Sequence, residues 1–262
     1  MSATAARLIG ARSQDLLRFI EERGQVSVSE VCERFSISEA TARRHLALLA
    51  ERGEIERVHG GAIAAQQISP DLPLHERSHQ EAAEKVAIGR AAAALIGDGE
   101  TVFLGSGTTV YQIALNIQDR KGLTVITNSV PVITALSPIS DITLICLGGI
   151  LRHTEMSLIG HISEMALSQL RADKVIIGVR AVDLEHGLTN DYLPETTTDR
   201  AILGIGREII IAADYSKCGR VSTSFVAPLR QMHTFVTDWR TPTEFVDALR
   251  QRGIRVVRAT QD

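Results

Sequence analysis

The chain of 262 residues has few cysteines, no surplus of positive charge and no long apolar run, and each absence removes a class of protein. Cys32, Cys146 and Cys218 are odd in number and far apart, with no CxxC pair and no Cys/His cluster. Neither a disulfide framework nor a zinc site is supported. The eight histidines lack metal-ligand spacing, and no Ser/His/Asp set can be assigned from their order. No stretch approaches the ~18 apolar residues of a membrane span. The first residues, MSATAARLIGARSQDLL, lack the apolar core of a secretory signal. Internal repeats and low-complexity tracts are also missing. The expectation is a reduced, cytoplasmic protein with no metal, no cofactor and no membrane partner.

The formal net charge of −3 excludes a strongly basic nucleic-acid binder. Residues 1–65 carry nine arginines and nine acidic residues, so that segment is neutral. Its charges are nonetheless sorted. Glu21, Glu22, Glu30 and Glu33 precede position 34, whereas Arg43, Arg44, His45, Arg57 and His59 gather after it. A local basic patch on a balanced domain still holds phosphates, with weak non-specific binding.

That patch lies in SEATARRHLALLAERGEIERVHGGA, residues 38–62. Ser38 is placed to cap a helix in which Ala42, Leu46 and Leu49 recur at i, i+4 and i+7. Thr41, Arg43, Arg44 and His45 are read as lying off that stripe. Gly53 stops the helix, Ile55 to Val58 reads as a strand, and Gly60-Gly61 as a turn. Upstream, residues 12–23 predict a helix capped by Ser13, Val26–Val28 a short strand, and Ser29 the cap of a second helix through Phe35. Cys32 there reads as a small buried hydrophobe. Two short helices, the second presenting its N-terminal end, with a strand and glycine turn behind them, form a winged helix-turn-helix. The alternative is an amphipathic helix with a solvated charged face.

From Ala64 to Gln80 periodicity fades, and Pro70 and Pro73 interrupt any helix, which predicts a linker. The organisation expected is a DNA-binding domain over 1–63, a linker over 64–80 and an α/β domain over 81–262. A helix is predicted from Glu81 to Ile96. Short apolar strands then alternate with helices: TVFL, LTVIT, ITLICL, KVIIGV, EIIIAAD, HTFVTD and IRVVRA. The pattern predicts a mostly parallel sheet covered on both faces.

Open α/β sheets bind ligands beyond the carboxyl ends of their strands. Here those ends are small or polar: Gly105-Ser106-Gly107-Thr108-Thr109, Thr127-Asn128-Ser129, Gly148-Gly149 and Asp214-Tyr215-Ser216-Lys217. The first is the most informative, because its hydroxyls and the free N–H groups of a following helix suit a phosphate. It is neither GxGxxG nor a GK[ST] loop. Its alternative is a plain strand-to-helix turn. Lys217 and Arg152 can supply positive charge to the same anion or sit solvated on the surface. Asp191 is a candidate for sugar hydroxyls or proton transfer, and Glu195 for that role or for favouring a helix N-terminus after Pro194.

These residues resemble the DeoR family of bacterial transcriptional regulators. The first match is SISEATARRHLALLAERGEIERVHGGA, against a family pattern of serine, T-x-R-R-D-L, Leu-x-x-x-G and an H-G-G wing. The second runs through Glu76-Arg77, Lys85, GSGTT, VITNS, LGG, Gly160, GLTNDY, Asp-Tyr-Ser-Lys and VTD. His45 departs from the usual acidic residue, which bears on base preference or local ion pairing. The resemblance implies an α+β N-terminal winged helix-turn-helix joined to an α/β sensor domain, related to ribose-5-phosphate isomerase and CoA-transferase folds. It implies double-stranded operator DNA and a phosphorylated sugar as partners, and repression of a carbohydrate operon. Carried over by motif, Ser38, Thr41, Arg43, Arg44, His45, Arg57, His59 and Gly60 face DNA. Ser106, Gly107, Thr108 and Thr109 hold the phosphate, with Asn128, Ser129, Gly148, Gly149 and Lys217 around the sugar. Asp191 and Glu195 fall in the variable, effector-selecting stretch. No catalytic residue is assigned, and repeated DNA sites imply a homo-oligomer. The rival expectations are a sugar-phosphate isomerase with an accessory DNA-binding domain, and a constitutive architectural DNA binder.

Overall fold

The computed structural model describes residues 15–17, 19, 20, 23, 25–51, 55–58, 61–64 and 72–261. Ser13, Gly24, Gly53, His59, Gly60 and linker residues 65–71 lie outside them. The chain divides into two compact units, Met1–Pro70 and Asp71–Asp262.

In the first unit, β1 (Gln25–Ser27) leads into helix α1 (Val28–Phe35). Ser27, and not Ser29, is the cap. Its hydroxyl accepts from the Glu30 amide at 3.2 Å, while the Glu30 carboxylate accepts from the Ser27 amide at 2.7 Å. This reciprocal capping box starts the helix two positions earlier than a cap at Ser29 would. Ser36 ends α1 in the left-handed region at φ 51°, turning the chain into α2 (Glu39–Glu51). Strands β2 (Ile55–Val58) and β3 (Gly61–Ala64) form an antiparallel hairpin, and β3 also pairs with β1, in the order β1-β3-β2. The sequence predicts the wing only as far as β2. The third strand, whose Ala62 is buried, completes the wing. A core of Leu16, Ile20, Val26, Val28, Val31, Ala42, Leu46, Leu49, Ile55 and Ala62 holds these elements together. The unit is a winged helix-turn-helix.

The second unit opens with a short helix, α3 (Leu74–Arg77), directly after Pro73. Proline there does not interrupt a helix but precedes one, because its fixed φ suits the residues just before the first turn. Helix α4 (Ala82–Ala93) follows, and then β4 (Thr101–Leu104), α5 (Thr108–Leu115), β5 (Thr124–Thr127), α6 (Val130–Leu136) and β6 (Thr143–Cys146). A hairpin of β7 (Ile150–Arg152) and β8 (Ser157–Ile159) leads to α7 (His161–Ser168) and β9 (Ala172–Ile177). Strands β10 (Ala181–Asp183) and β11 (Gly187–Asn190), helix α8 (Leu193–Leu203), and strands β12 (Gly206–Ala212), β13 (Ser224–Ala227) and β14 (Thr234–Thr237) come next. Helix α9 (Thr243–Gln251) and β15 (Arg255–Arg258) complete the unit.

Seven of these strands form one parallel sheet in the order β15-β14-β12-β9-β4-β5-β6. Alternate residues serve opposite faces, as the strand period requires. Val102, Leu104, Ile176, Ile210 and Ala212 pack with α4, α5 and α6 in one core, whereas Phe103, Val175, Ile177, Ile209 and Ile211 enter the other. The antiparallel sheet β10-β11-β13 lies apart from the parallel one. The stretch 187–199 is a buried strand followed by the first part of a helix.

The strand order places the site. Strands β4, β5 and β6 proceed toward one edge, and β9, β12, β14 and β15 toward the other. The chain therefore reverses its direction of travel between the adjacent strands β4 and β9. At such a switch point the connections leave in opposite directions and open a crevice beyond the carboxyl ends.

Candidate functional site

A cleft of about 70 Å³ lies at this switch point. Its walls come from the residues following β4, β9 and β12: Ser106–Val110, Gly178–Arg180 and Ala212–Asp214 with Lys217. The sequence sets this local geometry. Gly105 has no room for a side chain, since a Cβ would stand 2.9 Å from the Ile177 methyl. Gly107 sits at φ 105°, a conformation that favours glycine, and the chain then turns into α5 at Thr108. Thr108 and Thr109 thus belong to the first turn of the helix, where amide N–H groups have no helical acceptor.

Four cations border the cleft. Arg77, Lys85, Arg180 and Lys217 come from α3, α4, the end of β9 and the turn after β12. Arg77 and Lys85 were recognised by motif without being placed at the ligand. Lys85 is 6% exposed, and its ammonium donates to the carbonyls of Arg77 at 2.7 Å and Gln80 at 2.6 Å. Burial lowers its pKa from 10.5 to about 8, with Lys217 and Arg77 adding repulsion against the pull of Asp214. Burial also lowers the pKa of Lys217, again opposed by Asp214. Anion binding would relieve both penalties.

The opposite wall is acidic. Glu155 forms an ion pair with Arg77 at 2.5 Å and accepts from Arg180 at 2.8 Å, and Arg180 reaches Asp191 at 3.3 Å. Asp191 lies 3.8 Å from Arg152, which pairs closely with Glu195. Ser157 donates to the other Glu195 oxygen at 2.9 Å. Asn190 spans the group, accepting from the Arg180 amide at 3.0 Å and donating to Asp199 at 2.5 Å. Burial pushes the Asp199 carboxyl well up, and that of Glu195 from 4.5 to about 7, with Glu155 adding repulsion that Arg152 opposes.

The folded protein therefore holds a proton on Glu195 that the unfolded chain gives up near pH 4.5. This contribution to stability is full below about 4.5 and is lost as the pH rises through about 7. The melting temperature is expected to show a downward component across that window. Glu195→Gln, which is neutral at every pH, should flatten it. A slope unchanged in the variant, measured by scanning calorimetry, would assign the titration to another group.

Several expected ligand contacts turn out to be structural. Arg152 is not free for a phosphate, because Glu195 and the Tyr192 ring 4.4 Å away hold its guanidinium. Glu195 and Asp191 are committed to arginines, although Glu195 still borders the cleft. Asn128, Ser129, Gly148 and Gly149, at the ends of β5 and β6, do not line it. Asn128 donates to the Leu158 carbonyl at 3.1 Å, and the Ser129 amide donates to the Thr127 hydroxyl at 3.0 Å. A Cβ on Gly149 would stand 2.5 Å from the Ser163 hydroxyl and 2.6 Å from the Ile159 carbonyl oxygen. These small residues admit the protein's own β7-β8 hairpin and α7. Ser106, Gly107, Thr108, Thr109, Glu195 and Lys217 are the expected effector residues that do come together.

In the first unit, Ser38 caps α2, its hydroxyl accepting from the Thr41 amide at 3.3 Å and bonding the Thr41 hydroxyl at 2.9 Å. Arg43, Arg44 and Arg57 are exposed, and Arg43 pairs with Glu39 one turn earlier at 2.6 Å. Such an exposed pair is worth only ~0.3–0.5 kcal/mol and yields readily to a phosphate. His45 is a correction. It is 7% exposed, on the face shared by Ala42, Leu46 and Leu49, because position 45 is i+3 from Ala42 and i−4 from Leu49. No helix among the described residues is long and apolar enough to cross a membrane.

Two family models match the chain. The DeoR-like helix-turn-helix domain matches residues 12–68, and the DeoR C terminal sensor domain matches residues 80–239. The chain is 32% identical to the transcriptional repressor AccR of Agrobacterium fabrum, over 88% of its own length and 90% of that protein. It is 31% identical to the glycerol-3-phosphate regulon repressor of Escherichia coli, over 94% and 97%. A solved ribose 5-phosphate isomerase from Plasmodium falciparum superposes on 53% of each chain, with 18% identity and a TM-score of 0.39.

Proposed function

The chain belongs to the DeoR family of transcriptional regulators, and from that premise we propose that it represses a carbohydrate-use operon until a phosphorylated sugar or polyol binds its second unit. The observation that carries the effector reading is the cleft itself. Hydroxyls and unpaired helix N–H groups at Ser106–Thr109 face the same space as Lys85 and Lys217, and carboxylates and Asn190 line the far side. A phosphate suits the first group of residues and a polyol the second. The glycerol-3-phosphate regulon repressor, named for a phosphorylated polyol, supports this chemistry.

DNA contact falls to Ser38, Thr41, Arg43 and Arg44 at the start of α2, with Arg57, His59 and Gly60 on the DNA backbone. Two copies would present two reading helices to a repeated site. Effector binding then favours a conformation of lower DNA affinity, by as much as its own preference for that conformation.

The test is a DNA mobility shift on the region upstream of its own operon, with and without a panel of sugar and polyol phosphates. Release of the DNA by one of them, matched by a rise in melting temperature, is expected. Lys217→Met should abolish both responses and leave DNA binding intact. A full response in that variant would place the phosphate elsewhere.

A further inference from the structure

A second cavity, of about 320 Å³, lies within the second unit between α3, α4, α5 and the β7-β8 turn. Its volume is that of a small-molecule site. Leu74, Val86, Tyr111, Pro131 and Met156 form its apolar walls, and each is only half-buried. Apolar side chains that packing leaves partly uncovered gain when an apolar body lies against them. This cavity differs in character from the cleft at the switch point, where charged side chains and hydroxyls from several elements converge.

Its electrostatics restrict the occupant. Among the described residues no Asp or Glu lines it, whereas Lys85 does, with His75 and His153 at the solvent side. A cation would find no counter-charge there. An anion would find a buried ammonium held by two carbonyl oxygens and by the pull of Asp214. Lys85 and Thr108 also border the switch-point cleft, so the two spaces share one wall.

Backbone conformation at the rim is a separate observation. Met156 lines the cavity at φ 50°, and Glu81, beside the lining residue Ala82, sits at φ 49°. They are two of three non-glycine residues in the left-handed region among the described residues. Such residues cost energy and persist where the surrounding structure holds them, often at ligand clamps. Here the strain fixes the β7-β8 turn, through the Val130 amide donating to the Met156 carbonyl at 2.9 Å, and the entry into α4.

We propose that this cavity is a second ligand site, taking a small organic anion with a flat apolar body and a single carboxylate or sulfonate directed at Lys85. The apolar body lies between Leu74 and Tyr111 and closes against Met156. The site needs neither DNA binding nor a sugar-phosphate effector, so it stands or falls independently of the proposed function.

The probe is 8-anilinonaphthalene-1-sulfonate, titrated into the full chain and followed by fluorescence. Saturable binding of one molecule per chain is expected. Two variants fill the cavity from different walls, Ala82→Trp from the exposed rim and Val86→Phe from α4. Each should weaken binding at least about tenfold, a loss of ~1.4 kcal/mol. Ile162→Lys, on an exposed apolar position of α7, should change nothing. In the unaltered chain the probe should shift the 13C-methyl resonance of Met156, assigned with Met156→Leu, and leave that of exposed Met165 in place. This readout needs no cavity-filling variant to fold. Absence of saturable binding, loss of binding in Ile162→Lys, or a shift at Met165 without one at Met156 would each overturn the proposal.

Discussion

Arg44→Ala is expected to weaken operator binding by about 1–3 kcal/mol, the value of one good base contact, which is roughly a five- to 150-fold loss. Arg44 lies in the second turn of α2 and is exposed, beside Arg43 and behind the Ser38 cap. A helix entering the major groove by its N-terminal end brings such a residue to the base edges. Since Arg44 contributes nothing to the buried face, the variant should melt with the parent. A salt series separates the two ways in which an arginine holds DNA. If Arg44 reads a base, the loss depends on sequence. If it holds a phosphate, affinity falls on all sequences and the slope of log K against log salt drops by about one. An operator affinity within 1 kcal/mol of the parent would remove Arg44 from the interface.

Neighbouring His45 shows where sequence reading loses resolution. The spacing of Ala42, Leu46 and Leu49 revealed one face of α2, but its width was undetermined. A stripe drawn only through i, i+4 and i+7 leaves out i+3, which lies on the same face. A histidine there reads as polar and exposed, whereas the fold buries it. The wing was read only as far as Val58, because GAIA has too little amphipathic character to announce β3.

In the second unit, what was legible was local. GSGTT carries its own turn and helix start, so it reads as a loop wherever it is placed, and the alternating strands sort themselves between the two cores. The glycines at 148 and 149 were legible as a close approach but not as to what approaches. A ligand and the protein's own α7 ask for the same residue. Illegible altogether was the charge cluster that joins Arg77 to Glu155 across 78 positions, and Arg152 to Glu195 across 43. Periodicity reports on neighbours within a helix or strand. It says nothing about a contact that depends on where the β7-β8 hairpin folds back.

That cluster leads to the largest effect on stability. Arg152→Met is expected to destabilise the second unit by about 3–5 kcal/mol near pH 8, read from urea denaturation, since it leaves a buried carboxylate without its cation. Arg152 and Glu195 are both nearly inaccessible, and Ser157 offers Glu195 a neutral donor only. The size of the loss should depend on pH. With its pKa already raised to about 7, Glu195 can answer the loss of Arg152 by taking up a proton, so the variant should suffer less at pH 6 than at pH 8. Arg152→Met combined with Glu195→Gln should recover much of the loss, because a neutral amide needs no counter-charge. An arginine serving as a phosphate clamp behaves in the opposite way. Its removal would spare, or even raise, the stability of the unliganded protein and would lower effector affinity at every pH. A pH-dependent loss of stability rescued at Glu195 therefore distinguishes an arginine that builds the wall of the cleft from one that reaches into it.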